Sequence, residues 1–266
     1  MKNENIQKLN IALDLNYEIV GIHFLFEDED FLSSKLEQYN GKSSFCMMVK
    51  KACTGESFKY SKNNFGCRCA VEALGVDEEY DNVKSGQRYY ATQLYESLAI
   101  AKKTQENVLR INHLVKGIEV GPLKDLQEAD ICIILANSYQ MMRIIQGYTY
   151  KYAMPTNISM AGNQGICSDL AARPFITNDI NLSLLCSGTR NRCSWGNDEL
   201  GIGMPIHYFD PITEGVVRTL NLTESKKNKK NIEQRNGDSN LLGIKIDYEA
   251  NYGKLASKYT QAKTKK

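Results

Sequence analysis

"ADICIILANSYQMMRIIQGYTY", residues 129–150, is the stretch on which the fold class turns. Its first part, ADICIILAN, reads as a strand, and SYQMMRIIQGYTY follows at once as a helix candidate. A strand that leads directly into a helix is what a layered α/β domain shows. Asn137 stands at the junction and can cap the helix. Arg143 follows the strand end, where α/β folds place ligand sites.

Working outward, YEIVGIHFLF at 17–26 is β-branched and aromatic and reads as another strand, ended by the acidic EDED at 27–30. GIEVGPL at 117–123 reads as a third. Ser43 or Ser44 caps a helix that starts near Phe45, and Gly55 stops it. CRCAVEALG, at 67–75, is a second short helix with Gly75 at its end. A long amphipathic helix is expected from Ser85, with a break near Lys103. GNQGICSDLAARPF reads as a short helix ended before Pro174. GIGMPIHYFD, from Gly201, reads as loop then strand, and Pro211 opens a last helix. After Leu222, TESKKNKKNIEQRNGDSN is almost free of apolar residues and reads as a solvated linker.

These readings add up to one α/β domain with a mixed sheet and surrounding helices. Residues 1–14 form an N-terminal extension, 15–222 the domain and 223–266 a lysine-rich linker and tail. The domain divides into related halves at about 15–115 and 116–222.

The halves rest on an internal echo. Cys46 is followed after 21 positions by Cys67, and Cys167 after 19 positions by Cys186, with Phe58 and Phe175 between. Cys46, Cys67 and Cys167 fall where helix N-termini are expected. Unpaired backbone N–H groups there stabilise a thiolate, which is both the nucleophile and the metal ligand. Cys186 precedes the glycine turn SGTR, of the sort that frees backbone donors. Cys132 lies inside an apolar strand and reads as core. Cys69 follows Cys67 by two positions and would not share a helix face with it, so it reads as packing.

Composition narrows the classes. The net charge is +2, from 33 basic and 31 acidic residues, too balanced for a nucleic-acid binder on charge alone. No apolar run approaches the roughly 18 residues of a membrane helix, and the polar N-terminal stretch is not a signal peptide. A cytoplasmic protein with eight reduced cysteines is therefore expected. No P-loop, G-x-S-x-G, H-E-x-x-H or G-x-G-x-x-G motif is present.

Neither half holds the C-x2-C pairs of zinc ribbons or simple ferredoxins. The first expectation is a cysteine-ligated metal centre, an iron–sulfur cluster or zinc, in redox or cofactor metabolism. Its ligands would be Cys46, Cys67, Cys167 and Cys186, with Arg190, Arg143 and Gly188 towards an anionic ligand. A small-molecule binding module without metal and a thiol enzyme for sulfur transfer or redox exchange are the alternatives. A small-molecule ligand or a redox protein is the partner these readings imply.

The stretches FCMMVKKACTGESF, GCRCAVEALGV, SGQRYY, GIEVGPL, ADICIILANSYQMMRIIQGYTY, GICSDLAARPF and LSLLCSGTRNR together resemble one family. It is called domain of unknown function 169, archaeal and bacterial proteins described as uncharacterised ArCR. The resemblance runs from about residue 15 to 222 in the same motif order. It implies single cysteines at Cys46, Cys67, Cys167 and Cys186 and a G-x-R turn from Gly188 to Arg190. Cys53, Cys69 and Cys193 stand outside that pattern. The resemblance implies no reaction.

Overall fold

The structure is a computed structural model and describes residues 2–77 and 81–264. The apolar runs form strands as expected: β1 (Val20–Leu25), β2 (Phe58–Ser61), β3 (Gly117–Pro122), β4 (Ile131–Asn137), β5 (Asn181–Ser183) and β6 (Glu199–Pro205). They make one open six-stranded sheet in the order β2-β3-β1-β4-β6-β5. Helices surround it, so the α/β class holds.

The sheet is not mixed. All five strand pairings are antiparallel, and parallel pairing is confined to two isolated bridges, Gln38 with Lys59 and Ser43 with Phe65. Within each run of three consecutive strands the third lies between the first and the second. The first strands, β1 and β4, join the runs through Val20–Ile133, Gly21–Cys132 and Ile22–Ile131. These two triplets part after Pro122, not at 115/116, because β3 pairs with β1 and β2.

The chain divides into two compact units. The larger spans 16–141 and 156–206 and contains the whole sheet. In it the helix Phe45–Cys53 packs on β3 and β1, with Phe45, Met48, Val49 and Ala52 buried. Ser44 caps this helix, its side chain accepting from Met47 N. The counterpart beyond β4 is a π-helical segment, Gly165–Ala172, packed on β5 and β6. A β-carbon at Gly203 would stand 1.9 Å from Leu170 O, and one at Gly201 2.2 Å from Leu170 Cδ1. The glycines of GIGMP therefore belong to strand β6 and let the π-helical segment lie flush on it, where a loop was expected.

Other boundaries shift for local reasons. The helix expected from Ser85 is broken at 92–97 rather than near Lys103. It forms Gln87–Ala91 and then Leu98–Glu106, the second opened by the Ser97 side chain accepting from Ile100 N. The π-helical segment runs through Pro174 into Arg173–Thr177, where proline's missing N–H falls in a first turn.

The smaller unit comprises the described parts of 1–15, 142–155 and 207–266. The helix Lys2–Leu13 buries Ile6, Leu9, Ala12 and Leu13 and packs on the helix Phe209–Thr223, where Pro211 is the third residue. Residues 226–236 are not a solvated linker. They form the helix Lys226–Asn236, capped by Ser225. Its one apolar residue, Ile232, is buried, and Lys229 Nζ donates to the carbonyls of Asp247 and Ala250, both at 2.7 Å. Among the described residues no helix is long and apolar enough to cross a membrane.

Candidate functional site

Four separate segments of the larger unit carry the four cysteines. Cys46 is the second residue of the helix Phe45–Cys53. Cys67 is the N-cap of Arg68–Ala73, and Cys186 the N-cap of Ser187–Cys193. Cys167 lies in the π-helical segment.

Close backbone approaches bring them together. Gly66 N donates to Ser43 O at 2.8 Å, and Ser43 N to Asn64 O at 2.7 Å, which ties the Cys67 loop to the start of the Cys46 helix. In the second triplet a β-carbon at Gly165 would lie 2.9 Å from Cys186 N. Only glycine lets the Cys167 segment come so near the Cys186 loop. Between triplets, the helix Ser187–Cys193 packs on Phe45–Cys53.

The result is one cavity of about 460 Å³ lined by Cys46, Cys67, Cys167 and Cys186, with Cys69, Arg88, Tyr89, Gln164, Gly188 and Arg192 among its other walls. A second cavity, of about 670 Å³, shares Tyr95 and Ala161 with it. Among the described residues no three His, Cys, Asp or Glu side chains are grouped to hold a metal ion.

The thiols are electrostatically unequal. Burial pushes Cys46 up to about 12 and Cys167 well above the ordinary thiol range. Their helix-terminus positions do not lower them, because desolvation of the charged form outweighs the local dipoles. Cys67 moves the other way. The neighbouring Cys69 thiol, acting as a donor to its sulfur, holds it below the ordinary thiol range against its burial, and the nearby Ala70 and Cys69 N–H dipoles and the Arg192 charge act in the same sense. Cys69 is correspondingly held protonated as the donor.

A directed chain of donors stands behind Cys69. Arg110 Nη2 donates to Gln105 Oε1 at 3.0 Å. Gln164 Nε2 donates to the same oxygen at 3.2 Å and to Tyr89 Oη at 2.6 Å. The Tyr89 hydroxyl donates to Cys69 Sγ at 3.2 Å. Every donor from Gln164 onward points towards Cys67, so the chain favours negative charge there.

Sequence reasoning brought the four thiols together but misplaced two cations. Arg143 belongs to the smaller unit. There it is fully buried, its Nε on Glu224 at 2.7 Å and its other donors on Gln146, Thr219 and Val216 O. Arg190 holds the carbonyls of Gly196, Leu184 and Glu199, and does not line the cavity. The arginines that do are Arg88 and Arg192. Gly188 lines the cavity, its α-carbon leaving Cys186 Sγ clear. Cys69, read as packing, is part of the wall. The sequence did signal it through the shared C-R-C spacing. Tyr89 and Gln164 carried no such mark.

Fold and cavity together define an antiparallel α/β domain with a thiol-lined pocket assembled from matching positions of two strand triplets. Residues 8–215 match the domain of unknown function 169 family, described as uncharacterised ArCR, and the chain belongs to that family. An uncharacterised protein of Methanocaldococcus jannaschii is 19% identical over 216 residues, spanning 80% of this chain and 92% of that protein. No solved structure gives a significant match.

Proposed function

We propose that the cavity is a small-molecule site in which the Cys67 thiolate is the working group, in thiol chemistry such as sulfur transfer or thiol exchange. The observation that carries this reading is the donor chain from Gln164 through Tyr89 and Cys69 to Cys67. A structural cysteine needs no such chain, and a nucleophilic one gains from it, because the thiolate is the reactive species. The other pocket thiols are then available to exchange with whatever Cys67 binds. In this reading the protein works in a reducing cytoplasm, where its thiols stay free.

A second reading has its own support. Four thiols from four separate segments line one cavity, as ligands of a metal centre would. Cys46, Cys67, Cys167 and Cys186 would be those ligands, and binding would displace the protons that burial now holds on Cys46 and Cys167. The centre would be an iron–sulfur cluster or zinc, both of which thiolates hold. A redox protein would then be the partner.

One experiment separates the two. The protein is purified without oxygen, and iron, zinc and acid-labile sulfide are measured beside alkylation mapping of the cysteines. Metal-free protein with Cys67 labelled first supports the thiol reading. Stoichiometric iron and sulfide, lost in Cys167→Ala, replaces it with the cluster.

A further inference from the structure

The walls of the thiol cavity are charged in one sense only. They include Arg88 and Arg192 and no Asp, Glu, Lys or His. Neither guanidinium is paired with a carboxylate among the described residues, whereas Arg110, Arg143, Arg218 and Arg235 all are. Even with Cys67 ionised, one positive charge is left over beside a pocket of small-molecule size.

A second observation comes from Gln164, another of the cavity's lining residues. Gln164 is 5% exposed, and its Oε1 has no hydrogen-bond partner. Its orientation is fixed, because Nε2 must face Gln105 Oε1, itself held as an acceptor by Arg110. A buried carbonyl oxygen without a donor costs about 1–3 kcal/mol, and because this oxygen is shielded from solvent a ligand that brings a donor removes that cost once a neighbouring side chain gives way.

We propose that the cavity binds a small organic anion, a carboxylate or phosphate held by Arg88 and Arg192, which also presents a hydroxyl or amino group to Gln164 Oε1. Guanidinium forks match the paired oxygens of either anion. The assignment deepens the small-molecule reading by giving the ligand's class. It does not depend on which group of the ligand meets Cys67.

The test uses purified full-length protein and three probes: malonate, hydroxymalonate and inorganic phosphate. Binding is measured by calorimetry at constant ionic strength, with chloride as the control. Saturable binding of a carboxylate or phosphate probe is expected, weakened at least tenfold in both Arg88→Gln and Arg192→Gln. These two side chains are exposed, so the variants should keep the wild-type melting temperature. Hydroxymalonate should bind more tightly than malonate. Binding of malonate alone would place a carboxylate in the site, and binding of phosphate alone a phosphate.

In parallel, Cys67 should react faster with iodoacetate than with iodoacetamide, relative to a free thiol. The double arginine variant should lose that preference, a ratio of two rates on the same thiolate, even though losing the Arg192 charge slows both reagents. Probes no better than chloride, or equal binding to the double variant (an adventitious ion only), would overturn the proposal. Equal affinity for malonate and hydroxymalonate would overturn the role of Gln164. If Cys67 proves unreactive while the probes bind in an arginine-dependent way, the thiol reading falls and the anion site stands.

Discussion

Cys67 and Cys186 occupy the same place in the two strand triplets. Each comes after the triplet's second strand and caps a short helix that precedes the third. What differs is the residue two positions later: Cys69 in one loop, Gly188 in the other. Cys69 gives its neighbour a hydrogen-bond donor that is oriented by Tyr89. Gly188 gives only space. The same contrast holds one layer back, where Cys46 is followed by buried Met48 and Cys167 by buried Asp169. A matching scaffold thus carries unmatched chemistry, set by side chains next to the cysteines rather than by the cysteines themselves.

The comparison breaks most sharply at Cys67 itself. An ordinary thiol with a pKa of about 8.5 is ~0.3% ionised at pH 6. In metal-free protein, iodoacetamide at that pH should label Cys67 far ahead of the other cysteines. Cys67→Ser should cut total labelling by more than about 100-fold. Uniform slow labelling of all eight would remove the distinction between the two loops.

The second effect concerns Asp169. Burial pushes its carboxyl up to about 7, against a partial opposing pull from the Ser183 hydroxyl, which donates at 2.9 Å. Its pKa is raised on folding, so the native state binds the proton more tightly than the unfolded chain does. The stability this gives is complete below about pH 4 and is lost as pH rises through 7. Urea unfolding should show a fall of about 2–4 kcal/mol between pH 4 and 8. Asp169→Asn should flatten that fall, whereas a substitution at Met48 should leave the pH profile in place.

Exchanging the partner residues sharpens the comparison further. Cys69→Ala should lower Cys67 labelling at pH 6 about tenfold, since a hydrogen bond to a charged group is worth about 1.5–3 kcal/mol. In the other loop, Gly188→Cys meets only Cys186 Sγ, at 3.9 Å from the new β-carbon. That variant should make Cys186 reactive at pH 6, and peptide mapping will tell. The smallest effect is expected from Tyr89→Phe, which removes the donor one step further away. Labelling should fall about threefold, with a stability loss of about 1 kcal/mol in urea.

Much of this architecture was legible in the sequence where burial alone decides. ICIILA and YEIVGIHFLF are strands because apolar runs of that length have few other uses. The four cysteines were legible through their echo, which tracks the repeated strand order. Strand β6 was not, because Gly201 and Gly203 answer to Leu170, which approaches from 31 or more positions earlier in the chain. The helix Lys226–Asn236 was missed because its stability comes from one isoleucine, a serine cap and a lysine bound to distant carbonyls. Arg143 and Arg190 looked available for a ligand because sequence does not show where a guanidinium spends its donors. Arg88 and Arg192 are read as the free ones only once the cavity is assembled.

The π-helical turn around Cys167 has a consequence for how this gene tolerates length changes. Its bonds span one residue more than those of an α-helix, as Asp169 N to Gln164 O shows. Deleting a single residue between Gln164 and Ala172 would let the segment relax into an ordinary helix and turn its C-terminal part by about 100°. Backbone hydrogen bonding would improve, yet Cys167 or Leu170 would rotate away from its neighbours. In this segment a one-codon deletion should be harsher than most substitutions, and relatives that keep the pocket should keep the extra residue.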